Sequence, residues 1–173
     1  MNKYLSLSIA CCSIVLISFA ACSLAEVEPE RVIYPGDIRY EMAPPHEDAR
    51  VDIAGHTVSG PDDFLWAAGV ELYEGILEVQ AGVPFDVTVH TFAGPHCHQV
   101  EESVLALSES RADISVFDSL PRGGTCHLVL ILLPRTETII FSEPGEAEVV
   151  IRGDKIGGGR HPHELRFPVL VKE

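Results

Sequence analysis

Residues 75–97 read GILEVQAGVPFDVTVHTFAGPHC. Within them Phe85, Val87, Val89 and Thr91 alternate with Asp86, Thr88, His90 and Phe92. A period of two predicts a strand with one buried face. Gly82 and Pro84 mark the turn before it, and Gly94-Pro95 marks its end.

Downstream the same texture continues. Residues 103–107 (SVLAL) and 112–117 (ADISVF) predict two strands joined by the polar turn 108–111. Residues 126–133 (CHLVLILL) are apolar on both faces, which predicts a central, buried strand. Strands are also expected at 137–141, 147–151 and 165–171, with Pro134 and Pro144-Gly145 as breaks. In the last of them Leu165, Phe167, Val169 and Val171 share a face, and Pro168 points to a sheet edge.

Upstream, 73–79 predicts a strand, 31–40 a short one broken at Pro35-Gly36, and 51–58 an edge strand around Gly55. Between them, 41–50 and 59–63 read as loop and turn. Seven to nine short strands without a long helix favour an all-β, antiparallel sandwich or barrel.

The first 21 residues stand apart. Lys3 precedes an apolar run, Leu5 to Ala20, that carries no acidic residue and is short for a membrane span. It ends in Phe19-Ala20-Ala21-Cys22, which resembles the bacterial lipobox, with Phe19 where that motif usually has Leu. The resemblance implies a lipoprotein: a signal segment over 1–21, diacylglycerol on the Cys22 thiol, and an acidic tether over 22–31. Each acyl methylene buried in a bilayer contributes about 0.8 kcal/mol, so two or three chains anchor a protein without a spanning helix. Ser23 rather than Asp after the cysteine favours an outer membrane, where the host has one. The other reading of the segment is ordinary secretion, with cleavage near Ala21 or Ala25.

Under the lipoprotein reading Cys11 and Cys12 leave with the signal and Cys22 carries lipid. Cys97 and Cys126 remain, and two cysteines in an exported domain are expected to pair. Closing a loop of about 30 residues would contribute roughly 3.5 kcal/mol in the chain-entropy account.

Residues 22–173 suit one domain, placed at 32–173 after the tether. All 26 acidic residues lie in this part, against 11 of the 12 basic ones, since only Lys3 precedes it. So acidic a chain argues against nucleic acid and against anionic lipid surfaces as partners.

EVQAGVPFDVTV (78–89) and FSEPGEAEVVI (141–151) resemble the immunoglobulin-like domains of bacterial surface proteins, and the chain is similar to lipoproteins that join a lipobox to one such domain. The resemblance implies an immunoglobulin-like β-sandwich. No Trp lies between the two cysteines, so their bridge is expected near one end of the sandwich rather than in its core.

The candidate sites are few. His96, His98 and His127 flank the two cysteines and, with His90 near, form a candidate zinc or copper site, weighed against loop histidines beside a disulfide. Asp37, Glu47, Asp48, Asp62 and Asp63 could supply oxygens to calcium, but without EF-hand spacing they read as surface charge. Residues 153–164 (GDKIGGGRHPHE) lack phosphate-loop spacing and read as a flexible hairpin loop. No nucleophile elbow or convergent carboxylate pair is legible. Trp66 reads as a packing plug. The expected function is a non-enzymatic, lipid-anchored envelope module without cofactor, contacting another envelope protein or a surface polymer. The alternative is a small-ligand or metal-binding module built on the histidines.

Overall fold

The structure, a computed structural model, describes residues 30–41, 47–61, 69–93, 97–123, 131–157 and 159–173. Among the described residues the chain forms fourteen strands and no helix. It is all-β, as the spacing of the apolar residues requires.

The alternating stretch becomes β7 (Phe85–Ala93). Phe85, Val87 and Val89 face the core, while Asp86, Thr88 and His90 face outward. The alternation stops at Thr91, Phe92 and Ala93, which are all buried where β7 meets β2. Along one side β7 pairs over its whole length with β12 (Ile131–Ile139). Along the other it pairs with β4 (Arg50–Ile53) at residues 87–90 and with β2 (Asp37–Tyr40) at Phe92. β4 continues through a tight turn into β5 (His56–Ser59). Ala54 and Gly55 both take positive φ there, 48° and 84°, as a two-residue hairpin loop demands.

The second layer is built on β13 (Gly145–Ile156) and β14 (Arg160–Lys172), paired from Gly145↔Val171 to Ile156↔Arg160. β10 (Arg111–Ser115) runs parallel to β13, β9 (Val104–Leu107) pairs with β10, and β6 (Leu77–Gln80) runs parallel to β14. β2 joins the layers. Its Asp37 pairs with Phe92 of β7 and with Asp154 of β13. One eleven-stranded sheet therefore curls at β2 and folds back on itself. Between its halves lie Ile38, Val51, Ile53, Val87, Val89, Phe92, Ile114, Ile139, Phe141, Val149 and Ile151. The rings of Phe85 and Phe141 meet at 5.8 Å, and those of Tyr40 and Phe92 at 6.0 Å.

Two strands leave this sheet. β1 (Arg31–Pro35) precedes β2 across Gly36, and β11 (Phe117–Pro121) follows β10 across Val116. With β8 (Gln99–Val100) they make a separate three-stranded sheet, β1-β11-β8. The crossing point is tied by three backbone bonds: Gly36 N–H to Val116 O at 2.8 Å, Val116 N–H to Arg152 O at 3.0 Å, and Asp154 N–H to Gly36 O at 2.8 Å. Gly153 makes the approach possible, since a Cβ there would lie 2.3 Å from the Gly36 carbonyl oxygen.

Several expectations are corrected. The strands number fourteen among the described residues rather than seven to nine, because 31–40 and 112–117 divide where they change sheets, 51–58 folds into a hairpin, and two-residue strands form at Glu47–Asp48 and Gln99–Val100. The sheet is mixed rather than antiparallel: β10 and β2 run parallel to β13, and β6 parallel to β14. The expected loop at 153–164 is largely strand, since Gly153, Asp154 and Lys155 pair with His163, Pro162 and His161. Pro134 does not separate two strands but lies within β12 opposite His90. β12 has β7 as its only strand partner among the described residues, and residues 126–130 of the expected central strand lie outside them. On β14, β6 pairs only from Val169 onward, so Pro168 lies where that side has no strand partner among the described residues, as an edge proline does.

A Gly153→Ala substitution must push the Gly36 carbonyl and Ile38 apart. It is expected to cost about 1–3 kcal/mol, read as a lower midpoint with unchanged slope in urea unfolding.

Candidate functional site

The densest group of buried ionisable side chains lies at the crossing of β1, β2, β11, β13 and β14. Bending the chain at Gly36 brings Tyr34 of β1 and Asp37 of β2 to the same place. The parallel pairing of β2 with β13 sets Asp37 beside Asp154. Asp37 and Asp118 are fully buried and Asp154 is nearly so. Like charges on adjacent strands repel, and removal from water magnifies the cost. Arginines on β12 and β14 reach in to offset it. Arg160 grips Asp37 with both arms, Nη1 to Oδ1 at 2.9 Å and Nη2 to Oδ2 at 3.0 Å, and its Nη1 lies 3.7 Å from Asp154 Oδ2. Its guanidinium also stacks on the Tyr34 ring at 3.8 Å.

Arg135, on the inner face of β12, serves the second carboxylate. It donates to Asp118 Oδ1 at 2.5 Å, to Thr91 Oγ1 at 2.7 Å and to the Phe117 carbonyl at 2.5 Å. Gly36 sits between the halves, where an added Cβ would come within 2.9 Å of both Asp118 Oδ2 and Thr91 Cγ2.

Three carboxylates thus meet two guanidiniums. Burial is the largest influence on Asp37 and outweighs Arg160, while Asp118 and Asp154 push the same way, so its pKa is driven up to about 7. Burial also raises the Tyr34 phenol, with Asp118 and Asp37 opposing its ionisation, so the phenol stays neutral. Tyr34 Oη, Asp118 Oδ2 and Arg135 Nε are buried without a hydrogen-bond partner among the described residues. Outside the seam, Arg111, Asp113, Glu148, Arg152, Glu164 and Arg166 form a ladder of ion pairs on the outer face of β10, β13 and β14. The hydrogen bond from Arg111 does most to hold Asp113 down at about 2. Such half-exposed pairs contribute little each.

The residues singled out from the sequence are placed as follows. Cys22, His96, Cys126, His127, Asp62, Asp63 and Trp66 lie outside the described residues. Cys97 is buried, and its carbonyl accepts a 2.8 Å bond from Arg31 Nη2. The His98 ring meets Tyr34 edge-on at 6.0 Å, which puts it on the rim of the ionic cluster. His90 lies on the outward face of β7, 3.9 Å from Asp52, and burial lowers its pKa. Among the described residues no three His, Cys, Asp or Glu side chains are placed to hold a metal ion. Asp37, expected as surface charge, is fully buried, and Asp48 is paired with Arg39 at 2.7 Å.

Sequence reasoning missed Tyr34, Asp118, Arg135, Asp154 and Arg160. A signal was present in the two Gly-Asp pairs, Gly36-Asp37 and Gly153-Asp154, each bounded by strand-forming residues. Arg135 and Asp118 are likewise lone charges at the end of or inside apolar runs. No protein-family model, curated protein or solved structure matches this chain.

Removing Arg135 strands Asp118 in a dry interior. Arg135→Ala is expected to cost about 3–5 kcal/mol, well beyond an ordinary exposed ion pair, measured by urea unfolding. The Asp37 shift has a definite sign. A carboxyl whose folded pKa is raised favours the fold fully below its ordinary value of 3.8, and this contribution is lost as pH rises through about 7. Thermal melts from pH 4 to pH 8 should therefore show wild type losing ground relative to Asp37→Asn across that window. Parallel curves would contradict the shift.

Proposed function

We propose that this chain is an envelope lipoprotein, held on a bilayer by acylated Cys22, whose β-domain is a non-enzymatic structural and interaction module. One observation carries the non-enzymatic part of this reading. Among the described residues the buried arginines and carboxylates of the seam are paired with one another: Arg160 with Asp37, and Arg135 with Asp118 and Thr91. Carboxylates gripped this way stabilise a fold, and no buried Ser or Cys nucleophile contacts them among the described hydrogen bonds. The Phe19–Cys22 run supports the anchor, and Ser23 after it supports an outer-membrane location where the host has one. The net charge of −14 supports a protein or polymer partner rather than nucleic acid.

The immunoglobulin-like kinship and the Cys97–Cys126 bridge belong to the same proposal. The curled eleven-stranded sheet, with β7 and β13 among its long strands, supports the first. The burial of Cys97 beside the three-stranded sheet supports the second, and a bridge there would pin the segment after β11 near one end of the domain. No cofactor is part of this reading.

Expressed with its leader in a bacterial host, the wild-type chain is expected in the membrane fraction, released only by detergent, with an N-terminal peptide whose mass includes acyl chains on Cys22. Cys22→Ala should move it to the soluble fraction. A soluble wild-type chain, or an unmodified Cys22 peptide, would overturn the anchor.

A further inference from the structure

The outer strands of the two sheets are not alike. The edge of β5 is capped where the Tyr73 N–H donates to the Thr57 carbonyl at 2.8 Å. β12 carries Pro134, Arg135 and Glu137, β6 carries Glu78 paired with Lys172, and β1 carries Arg31 and Pro35. Charges and prolines of this kind keep sheet edges from recruiting further strands. β9 has neither. Its sequence is Val104-Leu105-Ala106-Leu107, and Val104 and Leu107 are 59% and 51% exposed.

The register shows which backbone groups it offers. Ser108 N–H bonds the Arg111 carbonyl at 2.8 Å, and Ala106 faces Asp113 while Val104 faces Ser115. In an antiparallel ladder bonded and non-bonded pairs alternate. The N–H and C=O groups of Leu105 and Leu107 therefore point away from β10. Among the described residues no strand pairs with that side. Two donor–acceptor sets spaced by two residues are what an added strand needs.

Charge indicates what kind of strand fits. Glu101 and Glu102 precede β9 and Glu109 follows it, so a short apolar edge is bracketed by carboxylates on a chain of net charge −14. A second copy would bring the same strongly negative surface to the joint. We propose that β9 is a docking edge for an extended segment of a partner protein, apolar at its centre and flanked by Lys or Arg, which extends the eleven-stranded sheet by β-augmentation. This deepens the reading of the domain as an interaction module and is independent of the lipid anchor.

The test uses the full chain in detergent and a fluorescent peptide of sequence KKVTVTVKK, with EEVTVTVEE as its charge-reversed control, followed by anisotropy. Saturable binding of the basic peptide is expected, with the acidic one at least about tenfold weaker. Leu107→Pro removes an outward N–H without breaking a β9–β10 bond and should cost at least about tenfold. The Glu102→Lys/Glu109→Lys pair, which leaves the ladder intact, should weaken the basic peptide by a similar factor, and thermal melts check that both variants fold. Equal binding to Leu107→Pro, or no saturable binding of the basic peptide, overturns the proposal. So does sedimentation showing a dimer that Leu107→Pro abolishes, which would assign the edge to a second copy. Because the assay is run in detergent, loss of acylation at Cys22 would leave every one of these outcomes unchanged.

Discussion

The fold depends on keeping charge dry at the place where one sheet becomes two layers. β2 can lie between β7 and β13 only if Asp37 sits beside Asp154, and two neighbouring carboxylates removed from water repel strongly. The bidentate grip of Arg160 makes that placement tolerable. Arg135 does the same for Asp118 a short distance away, and Gly36 leaves the space in which the two groups meet. Apolar packing supplies most of the stability, as in any domain of this size. The ionic seam specifies how the sheet bends, because a slip of β2 by one residue would turn Asp37 out and bring Ile38 to the charges.

The same arrangement explains the character of the molecule. Arginines bonded to carboxylates and backbone carbonyls hold strands together. His98 and Tyr34 sit at the border between this seam and the three-stranded sheet, close to Cys97. A domain with so much of its polar chemistry directed inward has its outer faces and edges left for contact. The outer face of β10, β13 and β14 carries a ladder of ion pairs, while β9 presents exposed Val104 and Leu107.

How much of this was legible in the sequence follows from what each feature depends on. β7 was legible because Phe85, Val87 and Val89 obey a local period, and the β9–β10 hairpin because the polar 108–111 turn is punctuated locally. The seam was not legible, because Asp37, Asp118, Asp154, Arg135 and Arg160 come from five strands and look like surface charges one at a time. The 153–164 segment failed for a related reason. Its glycines, histidines and proline read as loop, yet Gly153 is small to admit the Gly36 carbonyl, and Pro162 pairs opposite Asp154 within the β13–β14 ladder. Sheet switching at Gly36 and Val116 likewise leaves no periodic trace, since one alternating run supplies strands to two sheets.

Native-state hydrogen exchange tests the seam most directly. If it ties the two layers together, the amides of Gly36, Val116 and Asp154 exchange only through global unfolding, as slowly as those of Val87 and Val89 in β7. Exchange at those three sites markedly faster than in β7 would show that the layers open at β2 while the core stays intact, and would contradict the account.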